Sequence, residues 1–286
     1  MAIVLGRNRY GKAETRLVHV RRGGDRYDLV DLNVSVALSG DLAATHLSGD
    51  NAGVLPTDTM KNTVYAFARE HGVGAPEAFG LLLARHFVTT QPQVSAAKVT
   101  LESYGWERLG PHSFRRSGDH VRTAVVTVAE EGTQVVSGLK DLVLLNTTDS
   151  EFHGFPRDRY TTLPEATDRI LATAVDARWR HLTDAADWEQ SFAGAKEALV
   201  SAFADTYSYS LQQTLYAMGE RVLAQRPELA EIRLALPNKH HYLVDLAPFG
   251  LENPQEVFIA GDRPYGLIEG TVTRDDAEPA RAEWYL

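Results

Sequence analysis

Apolar and polar residues alternate most strictly across residues 28–39, where Val30, Leu32, Val34, Val36 and Leu38 fall on one side and Asp31, Asn33, Ser35 and Ser39 on the other. A period of two predicts a strand of an antiparallel sheet with one buried and one wetter face. Residues 16–22 are also β-like, and Gly23-Gly24-Asp25 supplies turn chemistry between the segments, so the pair reads as a hairpin. The period then lengthens. Asp58 is placed as the N-cap of a helix carrying Val64, Tyr65 and Ala68, and a second helix over 75–87 puts Phe79, Leu82, Leu83 and Phe87 on one stripe. Strands are predicted next at 94–106 and 121–128.

The same order returns in the second half. Strands are predicted at 135–145 and 172–181, helices at 188–203 and 211–224, and strands at 229–236 and 241–246. A shift of 135 residues lays Pro92 on Pro227, Val94 on Leu229, Val99 on Leu234 and Leu101 on Leu236, with Leu83 on Met218 and Phe87 on Val222 in the preceding helices. Any two helix–strand junctions share apolar spacing, but the repeated proline favours duplication. The predicted class is therefore α+β, with two tandem ββααββ units over 1–133 and 134–286. Each is a four-stranded antiparallel sheet with two helices on one face. The open edges of such sheets invite pairing, and closure into a barrel on oligomerisation would remove them.

Composition narrows the function. Hydrophobic residues make up 44% of the 286 and charged ones 23%, as expected of a globular chain that buries a core. A net charge of −9 argues against a nucleic-acid partner, because non-specific affinity for polyanions rests on excess Lys and Arg. No apolar run approaches the roughly 20 residues of a membrane-spanning helix, and the opening Met-Ala-Ile-Val-Leu-Gly lacks the features of a signal peptide. The absence of cysteine removes disulfides, thiolate nucleophiles, iron–sulfur clusters and cysteine-ligated zinc. Ten histidines remain, without an H-E-x-x-H pattern, and neither nucleotide-binding glycine signature occurs.

Five short segments combine polar side chains with constrained backbone: Asn8-Arg-Tyr-Gly-Lys12, Pro56-Thr-Asp-Thr-Met-Lys-Asn-Thr63, Ser150-Glu-Phe-His-Gly-Phe-Pro-Arg-Asp158, Leu236-Pro-Asn-Lys-His-His241 and Asp262-Arg-Pro-Tyr-Gly266. Taken singly, their residues and those between them have ordinary readings. Lys12 is a solvated lysine, Asp58 a helix cap, Phe152 and Leu163 core, Arg169 an ion-pair partner of Asp168, and Asn238 a turn residue. His153, His240 and His241 invite a metal reading, which no helical i, i+4 pair or third well-placed ligand supports.

In this order, with Arg169 and Leu211-Gln212 between them, the segments resemble the urate oxidase (uricase) family from about residue 10 to 268. That resemblance implies two tunnelling-fold (T-fold) units, a homotetramer with active sites at subunit interfaces, and no metal or organic cofactor. The implied reaction is oxidation of urate by dioxygen to 5-hydroxyisourate and hydrogen peroxide in purine degradation. Urate is a flat anion whose edge alternates acceptors and donors. A guanidinium offers it two parallel donors, and an amide adds one donor and one acceptor. Arg169 and Gln212 are similar to the family's pair for this grip, Phe152 to its stacking ring, and the Leu211 N–H and Leu163 to further contacts. Lys12 and Thr57 resemble the catalytic pair that relays a proton from amine to hydroxyl, with His240 completing the relay. In that family the threonine comes from the neighbouring subunit. Asn238 resembles the amide that holds water or dioxygen above the ring, and Asp58 the acid that accompanies the threonine.

The chain ends Trp284-Tyr285-Leu286 rather than in a peroxisomal tripeptide, so a bacterial, cytoplasmic enzyme is expected. Residues 91–113 carry few of the family's distinctive residues. Two competitors stand: a pterin or purine hydrolase or cyclohydrolase of the same broad fold, using a metal-activated water, and a non-catalytic purine-binding barrel.

Overall fold

A computed structural model describes residues 1–261 and 263–280. Asp262 of the fifth segment and the terminal Trp284-Tyr285-Leu286 lie outside the described residues. The described chain divides into two compact units, one of residues 1–138, 179–191 and 278–280, the other of 139–178 and 192–277.

In the first unit the elements are β1 (Tyr10–Arg21), β2 (Asp28–Gly40), the short α1 (Ala43–Leu47), α2 (Thr57–His71), α3 (Pro76–Thr90), β3 (Val94–Ser103), β4 (Trp106–Arg108), β5 (Phe114–Arg116), β6 (Val121–Ala129) and the opening of β7 (Gly132–Asn146). Its sheet runs in the order β1-β2-β3-β6-β7. The alternation of β2 is realised as expected: Leu32, Val34, Val36 and Leu38 are all buried and meet Met60, Val64 and Ala68 of α2 and Phe79, Leu83 and Phe87 of α3 in one core. Helix α3 lies close on the sheet at Gly80, where a Cβ would come within 2.9 Å of Leu101 and Val126.

Three expectations change here. Asp31, assigned to the wetter face, is 4% exposed and accepts hydrogen bonds from Arg16, Arg116 and Trp106 Nε1, so a buried carboxylate is satisfied by charge and geometry. The strand expected over 94–106 stops at Ser103, and Trp106 starts the separate β4–β5 hairpin. Asp58 is not an N-cap. Pro56 holds that position and Asp58 lies inside the first turn.

The second unit contains the rest of β7, most of β8 (Leu171–His181) and α4 (Trp188–Asp205), then α5 (Leu211–Gln225), β9 (Leu229–Pro237), β10 (His241–Leu243), a 3-10 turn at Ala247–Phe249, β11 (Phe258–Ala260) and β12 (Leu267–Thr273). Its sheet order is β7-β8-β9-β12. The shift of 135 residues carries Pro76–Thr90 onto Leu211–Gln225 end to end, and the first residue of β3 onto the first of β9. Leu215, Met218 and Val222 of α5 and Ile232, Leu234 and Leu236 of β9 are buried, and α5 packs on β9 as α3 does on β3.

The fourth strand of this unit is not residues 241–246. Only His241–Leu243 are extended, and they pair with β11 in a small sheet of their own. The neighbour of β9 is β12, some thirty residues later, with Ile268 opposite Leu236 and Gly270 opposite Leu234. Gly270 explains the choice: a Cβ there would stand 2.9 Å from Leu215 Cδ2, so glycine lets the strand lie beneath α5. No helix of the described residues is long and apolar enough to cross a membrane.

Candidate active site

Lys12 owes its position to a bulge. Lys12 faces Val36 and Thr15 faces Val34, so β1 carries one extra residue against β2. Glu14 absorbs it with a φ of 56° while its N–H donates to Ser35 Oγ at 2.9 Å. Opposed residues of an antiparallel pair share a face, and both valines are buried under the helices. Lys12 and Thr15 are three residues apart yet share that face, which a regular strand forbids. Gly11 sits where a Cβ would coincide with the Val36 carbonyl oxygen, so this approach of backbone to backbone needs glycine.

On the same face, α2 begins at Thr57, half-buried, with Asp58 exposed beside it. The first N–H groups of a helix have no partner within it and carry partial positive charge. Asp58 accepts from Lys61 and, at 3.0 Å, from Asn62. The Lys61 hydrogen bond above all holds its carboxyl below the usual range, and the positive charge of Lys12 adds a smaller pull. Lys12 is therefore within electrostatic reach of the start of α2 in one chain.

The second unit gathers the other group around three elements: the segment after β7, the lead into β8, and the start of α5. Ser150 and Ser208 form a parallel bridge, with Ser208 N–H donating to Asp149 O and Glu151 N–H to Ser208 O, both at 2.8 Å. Phe152 exchanges backbone hydrogen bonds with Ala166, at 2.7 and 3.0 Å. Its ring stacks on Phe155 with centroids 5.0 Å apart.

Arg169 lies two residues before β8, half-buried, with Nε donating to Ser150 Oγ at 3.3 Å and its guanidinium carbon 5.2 Å from the Phe152 centroid. Burial lowers its pKa from the ordinary arginine value. The ion pair with Asp168 is not formed: Asp168 accepts from Thr148 at 2.9 Å, and among the described residues no carboxylate lies within salt-bridge distance of Arg169.

Ser210 caps α5 by accepting the Gln213 N–H at 3.2 Å, while Gln213 Oε1 reaches back to Tyr209 N–H at 2.8 Å. Leu211 is buried and Gln212 exposed in the first turn, so the Leu211 N–H and the Gln212 amide stand free of the cap. Asn238 follows the last residue of β9 and bridges Thr173 of β8, with its own N–H held by Gly266 O at 2.8 Å. His240, half-buried, holds Gly261 N–H through its carbonyl at 2.8 Å and lies 5.9 Å from the Tyr242 ring. Leu163, read alone as core, is 52% exposed.

Residues that sequence reasoning did not single out hold these in place: Ser150, Ala166, Ser208, Ser210 and Gln213. The pattern Ser210-x-x-Gln213 is a helix-start signature and could have been read; the others give no local signal. Among the described residues no group of three or more His, Asp or Glu could hold a metal ion. His153 is occupied by Glu151 at 2.8 Å and His241 Nδ1 by Lys239 O at 3.0 Å.

A family model described as uricase matches residues 8–127 and 135–269, leaving between its two segments the end of β6, the turn after it and the first residues of β7. Residues 91–113 fall inside the first match. The chain is 50% identical to a uricase of Arthrobacter globiformis over 99% of its own length and 94% of the relative's, and 39% identical to one of Dictyostelium discoideum over 93% and 96%. The crystal structure of the Arthrobacter uricase superposes over all of both chains with a TM-score of 0.97. A Bacillus fastidious uricase structure, 23% identical, shares the fold with a TM-score of 0.79.

Proposed function

Because the chain belongs to the uricase family, we propose that its second unit holds urate and its first unit removes the substrate's proton. The activity is oxidation of urate by dioxygen. Urate, dioxygen and water give 5-hydroxyisourate and hydrogen peroxide: two electrons pass from the purine ring to dioxygen, and the added oxygen at C5 comes from water. The urate dianion is itself the reductant, so no separate redox group is needed.

One observation carries the binding part of this reading. Arg169 is a half-buried guanidinium with no carboxylate partner among the described residues, its guanidinium carbon over the Phe152 ring and within the same loop cluster as the start of α5. A planar anion lying on Phe152 brings its edge to Arg169, with the Gln212 amide and the Leu211 N–H completing the grip. Leu163, exposed in the same segment, closes over the ligand. Asn238, anchored beyond the end of β9, holds dioxygen or water on the open face, and His240 from the same segment completes the proton relay.

Lys12 acts as the base through Thr57, with Asp58 beside them at the helix start. We place this couple in one protomer and the urate grip in its partner, within a homotetramer whose sheets close into a barrel. The kinship with the Arthrobacter protein favours a cytoplasmic setting. The test is direct: purified protein in excess chelator is given urate and air, and urate absorbance and peroxide are followed. Loss of urate with matching peroxide is expected. Tight urate binding without oxygen consumption would leave a binding barrel instead, and activity that depends on a stoichiometric metal would revive the hydrolase reading.

A further inference from the structure

The segment that presents Phe152 is clamped from behind by side chains that the urate grip does not use. Residues 151 and 153 flank Phe152 in extended backbone, so their side chains leave on the side opposite its ring. There Glu151 takes His153 Nε2 at 2.8 Å, and Tyr207 lies beside the same carboxylate, so that burial first, and then the Glu151 charge and a hydrogen bond to it, raise the tyrosine's pKa. Glu151 is 9% exposed although it is an acid in a surface loop. A buried carboxylate is tolerated when donors satisfy it, and once satisfied it is costly to move. Tyr207 immediately precedes Ser208, whose backbone is the rail on which Ser150 and Glu151 run, and Ser210 two residues on caps α5. The carboxylate thus ties both flanks of Phe152 to the loop that delivers Leu211 and Gln212.

We propose that Glu151, bracketed by His153 and Tyr207, is a positioning residue that sets the height and tilt of the Phe152 ring, and through it the affinity for the purine. This rests on the substrate-binding reading of Phe152 and Arg169. Glu151 touches no reacting atom. Its removal is therefore expected to weaken ground-state and transition-state binding alike, raising KM while leaving kcat nearly intact.

The measurements are steady-state kinetics with urate and calorimetric binding of xanthine, each on protein whose circular dichroism and oligomeric state match the parent. Glu151→Ala is expected to raise KM and the xanthine Kd together by about tenfold, with kcat changed less than about twofold. Glu151→Gln keeps an acceptor for Tyr207 and is expected to recover most of that loss. In a Phe152→Ala background, Glu151→Ala is expected to add nothing further, because a residue that acts through the ring has no effect once the ring is gone. Full additivity in that cycle, or a fall in kcat at unchanged KM, would overturn the proposal. Should Glu151→Ala fail to fold, His153→Ala and Tyr207→Phe, which each remove one bracket of the carboxylate, carry the same test in milder form, and unchanged KM and Kd in both would equally overturn the proposal. Xanthine binding needs no turnover, so a parent protein that binds xanthine but leaves urate untouched would fail the catalytic reading and still permit this test.

Discussion

A guanidinium with no carboxylate at salt-bridge distance among the described residues is the most telling residue in the molecule. Arg169 loses part of its hydration to burial, keeps only a serine hydroxyl at Nε, and faces an aromatic ring. Arg169→Ala is expected to weaken xanthine binding by about 1.5–3 kcal/mol, the worth of a charge-assisted hydrogen bond, and calorimetry reads it. Arg169→Lys should not recover that loss, since a point charge does not orient a plane. Unaltered affinity in either variant would remove Arg169 from the site. Lys12→Met and Thr57→Ala are expected to behave in the opposite way, lowering kcat by about 10²–10⁴-fold as general-base variants do, with xanthine still bound. Gly11→Ala belongs with them. It deletes no functional group, but its Cβ collides with the Val36 carbonyl, so the bulge shifts and Lys12 moves with it. A fall in kcat without loss of xanthine binding is the expected result.

Elements act here through how they start and what they lie on. Helix α5 presents Leu211 and Gln212 because Ser210 caps it, and Ser210→Ala is expected to cost about 1 kcal/mol of stability and to raise KM through a frayed first turn. A thermal midpoint and KM both equal to the parent's would show the cap to be idle. Strand β12 lies under the same helix because Gly270 makes room for Leu215, and Gly270→Val is expected to lower the thermal midpoint by overpacking. Helix α3 carries a pH dependence of its own. His86 packs edge-on against Phe67, with centroids 4.7 Å apart, and burial lowers its pKa below the usual 6.5. The unfolded chain then takes up a proton that the folded chain resists, so this residue costs stability as pH falls below about 6.5 and costs none well above it. The midpoint of the parent should therefore drop more steeply from pH 7 to 5 than that of His86→Phe.

At the scale of the whole molecule the proposed labour is divided between the two units, one carrying Lys12 and Thr57 and the other Phe152, Arg169 and Gln212. If each site is built from two chains, co-expression of Lys12→Met and Arg169→Ala chains yields mixed oligomers with some intact sites, and activity that neither variant shows alone is expected. Absence of any recovery would confine each site to a single chain.

What the chain's order of residues determined was periodic or chemical. The β2 alternation, the stripes of α2 and α3, and the 135-residue repeat follow from burial on one face, and each is realised in the fold except at Tyr65, which α2 leaves exposed while Met60 joins Val64 and Ala68 inside. The resemblance to the family rested on short polar segments whose order survives in the string. Other features had no local signal. Asp31 looked like a wet-face residue because alternation counts side chains along one strand, whereas its burial depends on two arginines and a tryptophan brought from elsewhere. Residues 241–246 looked like the fourth strand because they follow a strand directly; the true partner of β9 is decided by which segment fits beneath α5. Lys12 reaches the helix-covered face through a single extra residue, which no period of two can announce. Local preference is written in nearest neighbours along the chain, while desolvation, register and close approach are set by groups distant in sequence, and only their assembly in three dimensions decides them.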